Sequence, residues 1–407
     1  MSQAPDRQDV IDEVRAWLDV YWDDQLPLLE WRGRLVESGW GCPSWPVEWF
    51  GRGLPPSYEP VVAAQFAEVG AVGVAAGVSM YLVAPTLLEW ASDEQKRRFL
   101  RPILTGEHKW CQLFSEPGAG SDLAGLQTRA IRDGDEWIVN GQKVWNSGAH
   151  KAHYGILMAR TDPDVSKHSG ISYFLIPMQQ DGIEVRPLRQ MNGHASFNEV
   201  FLTDARVPAD SMLGQPGDGW RVGLTTLTHE RSAVATRRPK FAANGGPTVR
   251  EAQAESADYF STYKWYPQRA GRANLVVPEA ERTGRSADPL VRQQIARVES
   301  ITRTSSWTNQ RARDARAAGK PPGPEGSLAK LNLSIGARLC HTAHTSIAGT
   351  DGLLDGPDTA ARGMVAEVLV STPAQSIAGG TDEIQHNIIG ERVLGLPKEP
   401  EAHTREQ

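Results

Sequence analysis

Asp133–Trp145 reads DGDEWIVNGQKVW. Asp133-Gly134 and Asn140-Gly141 are both pairs that favour tight hairpin turns, and they bracket the apolar run Trp137–Val139. The alternation continues downstream in YGILMARTD, GISYFLIPM, GIEVRPLR and NEVFLTDARVP, short β-rich runs separated by turn residues. Five or more strands within about 100 residues predict a small antiparallel barrel or sandwich, not a parallel sheet with crossover helices.

On either side of this region the period becomes helical. Upstream, VIDEVRAWLDV and EPVVAAQFAEVG space their apolar residues three and four apart. ASDEQKRRFLRPIL opens with Ser92 as an N-cap and carries Asp93 and Glu94 in its first turn, where the helix dipole favours acids. The Trp-, Pro- and Gly-rich stretch from Gly39 to Pro56 reads as a loop. Downstream, WRVGLTTLTHERSAVATRR, DPLVRQQIARVESITRTSSWTNQRAR, SLAKLNLSIGARLCHTAHTSIAG and TDEIQHNIIGERVLGL predict a helical bundle. The expected fold is mainly α with a central antiparallel β-barrel or sandwich domain. Its domains are a helical one over 1–108, a β domain over 109–214 and a helical bundle over 215–407, with an insertion near 238–275 to which no pattern assigns a structure.

A chain of 407 residues exceeds one compact domain. With 23% charged and 40% hydrophobic residues it is neither disordered nor fibrous, and a net charge of -6 argues against a nucleic-acid partner. Cys42, Cys111 and Cys340 are too scattered for a disulfide framework or a paired-cysteine zinc site, so no metal is expected and a reducing compartment fits. The opening MSQAPDRQDVIDEVRAWLDV is acidic and amphipathic, unlike a signal or transit peptide, and a cytoplasmic location is expected. Val69 to Leu88 carries no charged side chain, yet it holds several glycines and a proline; it reads as a buried helix and not as a membrane insertion.

The most distinctive segment is CQLFSEPGAGSDLAG, Cys111 to Gly125. Its glycines let backbone N–H groups approach an anionic group, and its serines can donate hydrogen bonds. Neither GxGxxG nor a Walker A motif occurs, so the usual βαβ phosphate site is absent. FSEPGAGSD, NGQKVWNSGAH, FNEVFLTDARVP and GGTDEIQHNIIGERVLGLP follow one another in an order that resembles the acyl-CoA dehydrogenase family. The resemblance runs from about residue 25 to 398, and the excess of arginine (33) over lysine (10) is similar to actinobacterial members. It implies FAD as cofactor and an acyl-CoA thioester as substrate, dehydrogenated to the trans-2-enoyl-CoA as in fatty-acid β-oxidation. It further implies an electron-transfer flavoprotein as acceptor and a homodimer, a homotetramer or a heterotetramer with a homologous chain.

Residue by residue, the resemblance assigns Gln112, Leu113, Phe114 and Ser115 to the flavin ring and ribityl chain, and Ser121 to both flavin and thioester. The family's Trp-x-Thr over the isoalloxazine is matched by Trp145, Asn146 and Ser147, whose serine keeps the hydroxyl donor. The larger branch of the family carries its catalytic carboxylate in a C-terminal turn, where this chain has Gly379. A second branch, of isovaleryl- and long-chain type, carries it on the first helix of the C-terminal domain, where Glu230 precedes Arg231. Glu230 is therefore the expected base for the α-proton, with the flavin as hydride acceptor, and Arg231 is expected near the substrate. Burial and neighbouring groups can tune a carboxylate for such work. Gly379 and Gly380 are expected to leave room for Glu230 and to polarise the thioester carbonyl through backbone N–H groups. Thr381 and Glu383 are assigned to the adenylate end of FAD, often across a subunit boundary.

Two motifs depart from the family pattern. Its Arg-x-x-Phe-Gly, which holds the FAD pyrophosphate of a neighbouring subunit, is matched only by Arg282-Thr283-Gly284-Arg285, with Gln293 kept downstream. Its Gln-x-x-Gly-Gly becomes Ser346-Ile347-Ala348-Gly349-Thr350. Two alternatives stand beside dehydrogenation: an acyl-CoA oxidase or flavin monooxygenase on the same fold, and a non-catalytic homologous subunit of a heteromeric dehydrogenase.

Overall fold

The computed structural model describes residues 5–230, 239–317, 323 and 325–398. The chain forms two compact units, residues 1–189 with 195–263 and residues 190–194 with 264–407. In the first unit, α1 (Arg7–Tyr21), α2 (Leu28–Ser38), α3 (Glu59–Val69), α4 (Ala84–Trp90) and α5 (Asp93–Thr105) precede the strands. The strands are β1 (Trp110–Leu113), β2 (Arg129–Asp133), β3 (Glu136–Ser147), β4 (Tyr154–Arg160), β5 (Ile171–Pro177), β6 (Ile183–Leu188), β7 (Phe197–Pro208) and β8 (Met212–Leu213). Helices α6 (Gly219–Glu230) and α7 (Pro247–Ser261) complete the unit.

The sheet runs β6-β7-β3-β2-β4-β5-β8, with β1 on β4. Pairing is antiparallel except for β1 with β4 and a single parallel pair, Arg129 with Arg160. β4 and β5 are apolar throughout because both of their faces are covered. Ile156, Met158, Tyr173 and Leu175 face a core with Leu87, Phe99, Ile103 and Val222 from the helices, whereas Leu157, Phe174 and Ile176 face Val139, Val200 and Val207. The two faces together explain a continuous apolar run that alternation alone would not produce.

Ser92 caps α5 as its sequence predicts: its Oγ accepts from Gln95 N at 3.2 Å, and Gln95 Oε1 accepts from Ser92 N at 2.9 Å. The Asp133-Gly134 turn joins β2 to β3. The turn expected at Asn140-Gly141 does not form. That pair lies inside β3 at a register shift against β7, so the extra residue is absorbed by a bulge and the strand continues. The buried helix expected over Val69–Leu88 is also broken. α3 stops at Gly70, which takes φ 72°, the chain turns again at Gly77 with φ 108°, and a single π turn over Ser79–Val83 leads into α4. Among the described residues no helix is long and apolar enough to cross a membrane.

Part of the segment that resisted assignment is helical. α7 places Val249 and Ala252 in a core with Val14, Trp31 and Leu35. It is anchored where Gly246 N donates to Asp24 Oδ2 at 2.6 Å and Leu28 N to Glu251 Oε2 at 3.0 Å.

The second unit contains α8 (Tyr266–Arg269), α9 (Ala273–Arg282), α10 (Pro289–Ala317), α11 (Glu325–Ala348), α12 (Met364–Ser371), α13 (Pro373–Ile377) and α14 (Asp382–Arg392). Val276, Ala280, Val291, Val298, Cys340, Ala343 and Ile347 form its core.

Candidate functional site

The site in the first unit is built around a second bulge in β3. Its register against β7 shifts again between Lys143 and Asn146, and Trp145 takes φ 64° there. A positive φ is costly for a bulky residue and here turns the side chain around. Strict alternation would send Trp145 to the same side as the buried Trp137, Val139 and Lys143; instead it is 56% exposed, edge-on against Phe197 at 5.7 Å. Asn146 is buried in its place. Its Nδ2 donates to Gln112 O at 2.7 Å, and its own carbonyl accepts from Asn198 Nδ2 at 2.8 Å. Val144 N donates to Ser115 O at 2.9 Å. The segments Gln112–Ser115 and Trp145–Ser147 are thus stitched side by side.

The loop after β1 is held by residues that sequence reasoning passed over. Glu116 accepts from Gln127 N at 2.6 Å, from Thr128 N at 2.9 Å and from Lys143 Nζ at 2.8 Å, and Lys143 also reaches Phe114 O at 3.0 Å. Burial alone would raise the Glu116 carboxyl, but Lys143 and these hydrogen bonds outweigh it and hold it below the usual range. Burial pushes Lys143 down to about 8 despite its partner. The available signal was chemical: a charged residue on the inward parity of a strand demands a buried partner. Leu113 and Phe114 are core side chains, so only their backbone can meet a ligand, and Ser121 is exposed on the loop. Burial raises the Cys111 thiol to about 12, which excludes it as a nucleophile.

Ser147 and Gly148 line a cavity of about 100 Å³ whose other walls are Gly77–Ser79, Trp110 and the end of α7 with Tyr259 and Tyr263. Tyr263 shares this wall with Ser147, its ring packs on Tyr259 at 5.2 Å, and burial raises its phenol. Glu230 itself is the last residue of α6 and is exposed; Arg231 lies outside the described residues. The arrangement fits a flavin-type ligand on three counts. Among the described residues Asn146 Oδ1 is buried without a partner, the Trp145 face is open, and Ser147 borders the cavity.

The other expected residues belong to the second unit. Gly379 and Gly380 take φ 71° and 86°, and their carbonyls accept from Gln385 Nε2 at 3.4 and 3.3 Å. Thr381 caps α14, accepting from Ile384 N, and Glu383 is exposed in the first turn. Asp382 between them is buried on Ser334, Lys330 and Arg338. Arg282 is engaged by Glu279 of its own helix at 2.7 Å. Gln293 is exposed on α10, beside Arg297 and Ser300 in a shallow groove.

The N-terminal, middle and C-terminal domains of acyl-CoA dehydrogenase match residues 7–107, 111–205 and 277–394. Over 378 residues the chain is 36% identical to the acyl-CoA dehydrogenase IpdE1 of Mycobacterium tuberculosis, covering 91% of this chain and 88% of that protein. Among solved structures, the ChsE4-ChsE5 complex from Mycobacterium tuberculosis aligns with a TM-score of 0.65 and 28% identity, covering 98% of this chain and 100% of that one. The Tcur3481-Tcur3483 steroid ACAD, as its G363A variant, aligns with a TM-score of 0.63 and 26% identity, over 96% and 100%. The chain belongs to the acyl-CoA dehydrogenase family.

Proposed function

We propose that this chain catalyses the FAD-dependent α,β-dehydrogenation of an acyl-CoA thioester, with Glu230 as the base. One relationship supports the reading most: the bulge that turns Trp145 outward brings Ser147, at the end of β3, onto a cavity in the same unit whose α6 ends at Glu230. Loss of a proton from one carbon and a hydride from the next needs a base and an acceptor held in fixed geometry. Bound FAD supplies the hydride acceptor. Glu230 takes the α-proton, Ser147 presents a hydroxyl donor to the cofactor, Trp145 offers its open face, and the backbone of Gln112–Ser115 borders the ring. The N–H groups of Gly379 and Gly380 serve the thioester carbonyl, while Arg282, Gln293, Thr381 and Glu383 serve the adenylate half of FAD. An electron-transfer flavoprotein is the proposed acceptor.

A second reading makes the chain one of two homologous subunits that complete each other's cofactor site. The engagement of Arg282 by Glu279 within its own helix favours it, as do the paired chains named in two of the solved relatives. An anaerobic visible spectrum of the purified protein, taken before and after a panel of acyl-CoA thioesters, tests both. A flavin band that one thioester bleaches supports catalysis. A coloured protein that none of them bleaches overturns it, and a colourless protein that gains flavin on co-expression with a homologous chain establishes the two-subunit reading.

A further inference from the structure

Gly219, Gly223, Thr226 and Glu230 recur along α6 every three or four residues, so they share one face of the helix that ends at Glu230. An added Cβ on Gly219 would lie 2.5 Å from the backbone of Ser172 in β5, and one on Gly223 2.8 Å from Met158 Sδ in β4. These contacts set how closely α6 approaches the sheet. Apolar packing is non-directional, so the rotation and register of the helix need something more. Hydroxyls supply it. Thr226 Oγ1 lies 3.0 Å from Tyr173 Oη of β5 and 3.0 Å from Thr86 Oγ1 of α4, and all three side chains are 0% exposed. Thr86 also reaches Leu82 O at 2.7 Å, and Thr226 reaches Val222 O at 3.2 Å. Two further contacts repeat the tie between α4 and α6: Trp90 Nε1 donates to Thr225 Oγ1 at 3.0 Å, and His229 Nε2 lies 2.8 Å from Glu89 Oε1.

A buried hydroxyl deprived of its partner costs free energy, and these three meet only at one rotation and one register of α6 against α4 and β5. Thr226 is the member that both others touch. Glu230 stands one turn beyond it, about 6 Å further along the axis, and is exposed. We propose that Thr226 is a positioning residue: through it the Thr86–Thr226–Tyr173 cluster fixes where the Glu230 carboxylate stands, from a full turn away. The proposal rests on the reading of Glu230 as the base. Abstraction of a proton from carbon tolerates little error in placement, and a shift of about 1 Å can cost about 100-fold in rate. Valine at position 226 would keep the branched shape and lose the hydroxyl, leaving Tyr173 and Thr86 without their shared partner in the core.

The test is a double-mutant cycle on Thr226→Val and Glu230→Gln, read as anaerobic flavin reduction by whichever acyl-CoA of the panel bleaches the band fastest. Thr226→Val is expected to lower the limiting rate about 10- to 100-fold, at unchanged flavin content and unchanged half-saturating acyl-CoA. Thr226→Ser, which keeps the hydroxyl, should return the rate close to that of the parent. In the Glu230→Gln background Thr226→Val is expected to cost nothing further. A Thr226→Val rate equal to the parent's, a Thr226→Ser rate as low as that of Thr226→Val, or the same loss with and without the Glu230 carboxylate overturns the proposal. Tyr173→Phe, which removes an outer hydroxyl, gives a smaller loss of the same sign and serves if Thr226→Val fails to fold. If no thioester reduces the flavin, or Glu230→Gln is as fast as the parent, the reading of the base fails separately. The clamp is then read from hydrogen exchange over residues 222–230. Faster exchange in Thr226→Val and in Tyr173→Phe, and no faster in the two combined, upholds it; exchange unchanged from the parent overturns it.

Discussion

Lys143 Nζ lies 2.8 Å from Glu116 Oε1, with 0% and 7% of the two side chains exposed. This buried pair joins the glycine-rich loop after β1 to the bulged strand that carries Trp145 and Ser147, so two walls of the candidate site share one electrostatic anchor.

Removing one partner strands the other charge in the core. Lys143→Met is expected to destabilise the protein by about 3–5 kcal/mol, and the double variant with Glu116→Gln by clearly less, because no bare charge then remains. Urea unfolding followed by circular dichroism measures both. A single variant within about 0.5 kcal/mol of the parent, the range of an ordinary surface substitution, would show that the pair is not the anchor described.

Gln95 completes the cap of α5 and also donates to Asp210 O at 2.7 Å and Met212 O at 2.9 Å, beside β8. Gln95→Ala should cost about 2–3 kcal/mol, the sum of a lost cap and two deprived carbonyls. Gln95→Glu keeps an acceptor for the Ser92 amide but loses the donor, and should fall between the two in denaturant midpoint. Equal losses for both variants would assign the whole effect to the carbonyl contacts.

The element types were largely legible because their periodicities were strong. Ser92, the Asp133-Gly134 turn and the alternation in β7 each point to what forms. Asn140-Gly141 misled because a bulge and a hairpin turn call for the same residues, and only the partner strand decides between them. The position of Trp145 was hidden for a related reason: a one-residue shift reverses the facing of every later side chain. Glu116 and Lys143 were not singled out because their pairing spans two separate segments. Tyr263 went unread since the cavity it shares with Ser147 joins two segments far apart in sequence.

Asp382 lies among Ser334, Lys330 and Arg338 in the second unit. Burial alone would raise its carboxyl, but these partners prevail and lower it from 3.8 to about 2. The folded pKa is depressed, so its contribution is fully present above pH 3.8 and is lost as pH falls toward 2. A thermal midpoint that falls with acid across this window should fall less steeply in Asp382→Asn. Parallel slopes in parent and variant would remove Asp382 from the acid response.

Glu230 carries the chemistry of the proposal, and Gln is nearly its isostere. Glu230→Gln keeps the shape of the last turn of α6 but cannot take a proton. Flavin content and the oxidised spectrum should therefore be unchanged, while anaerobic reduction by the best acyl-CoA slows by about 10²–10⁴-fold, the scale of a lost general base. Glu230→Asp retains the base on a shorter arm and should lose less, since the penalty is then one of reach. Rapid-mixing absorbance gives both rates in one experiment. If Gln reduces as fast as Glu, another group takes the α-proton. If Asp and Gln are equally slow, placement of the carboxylate matters as much as its presence.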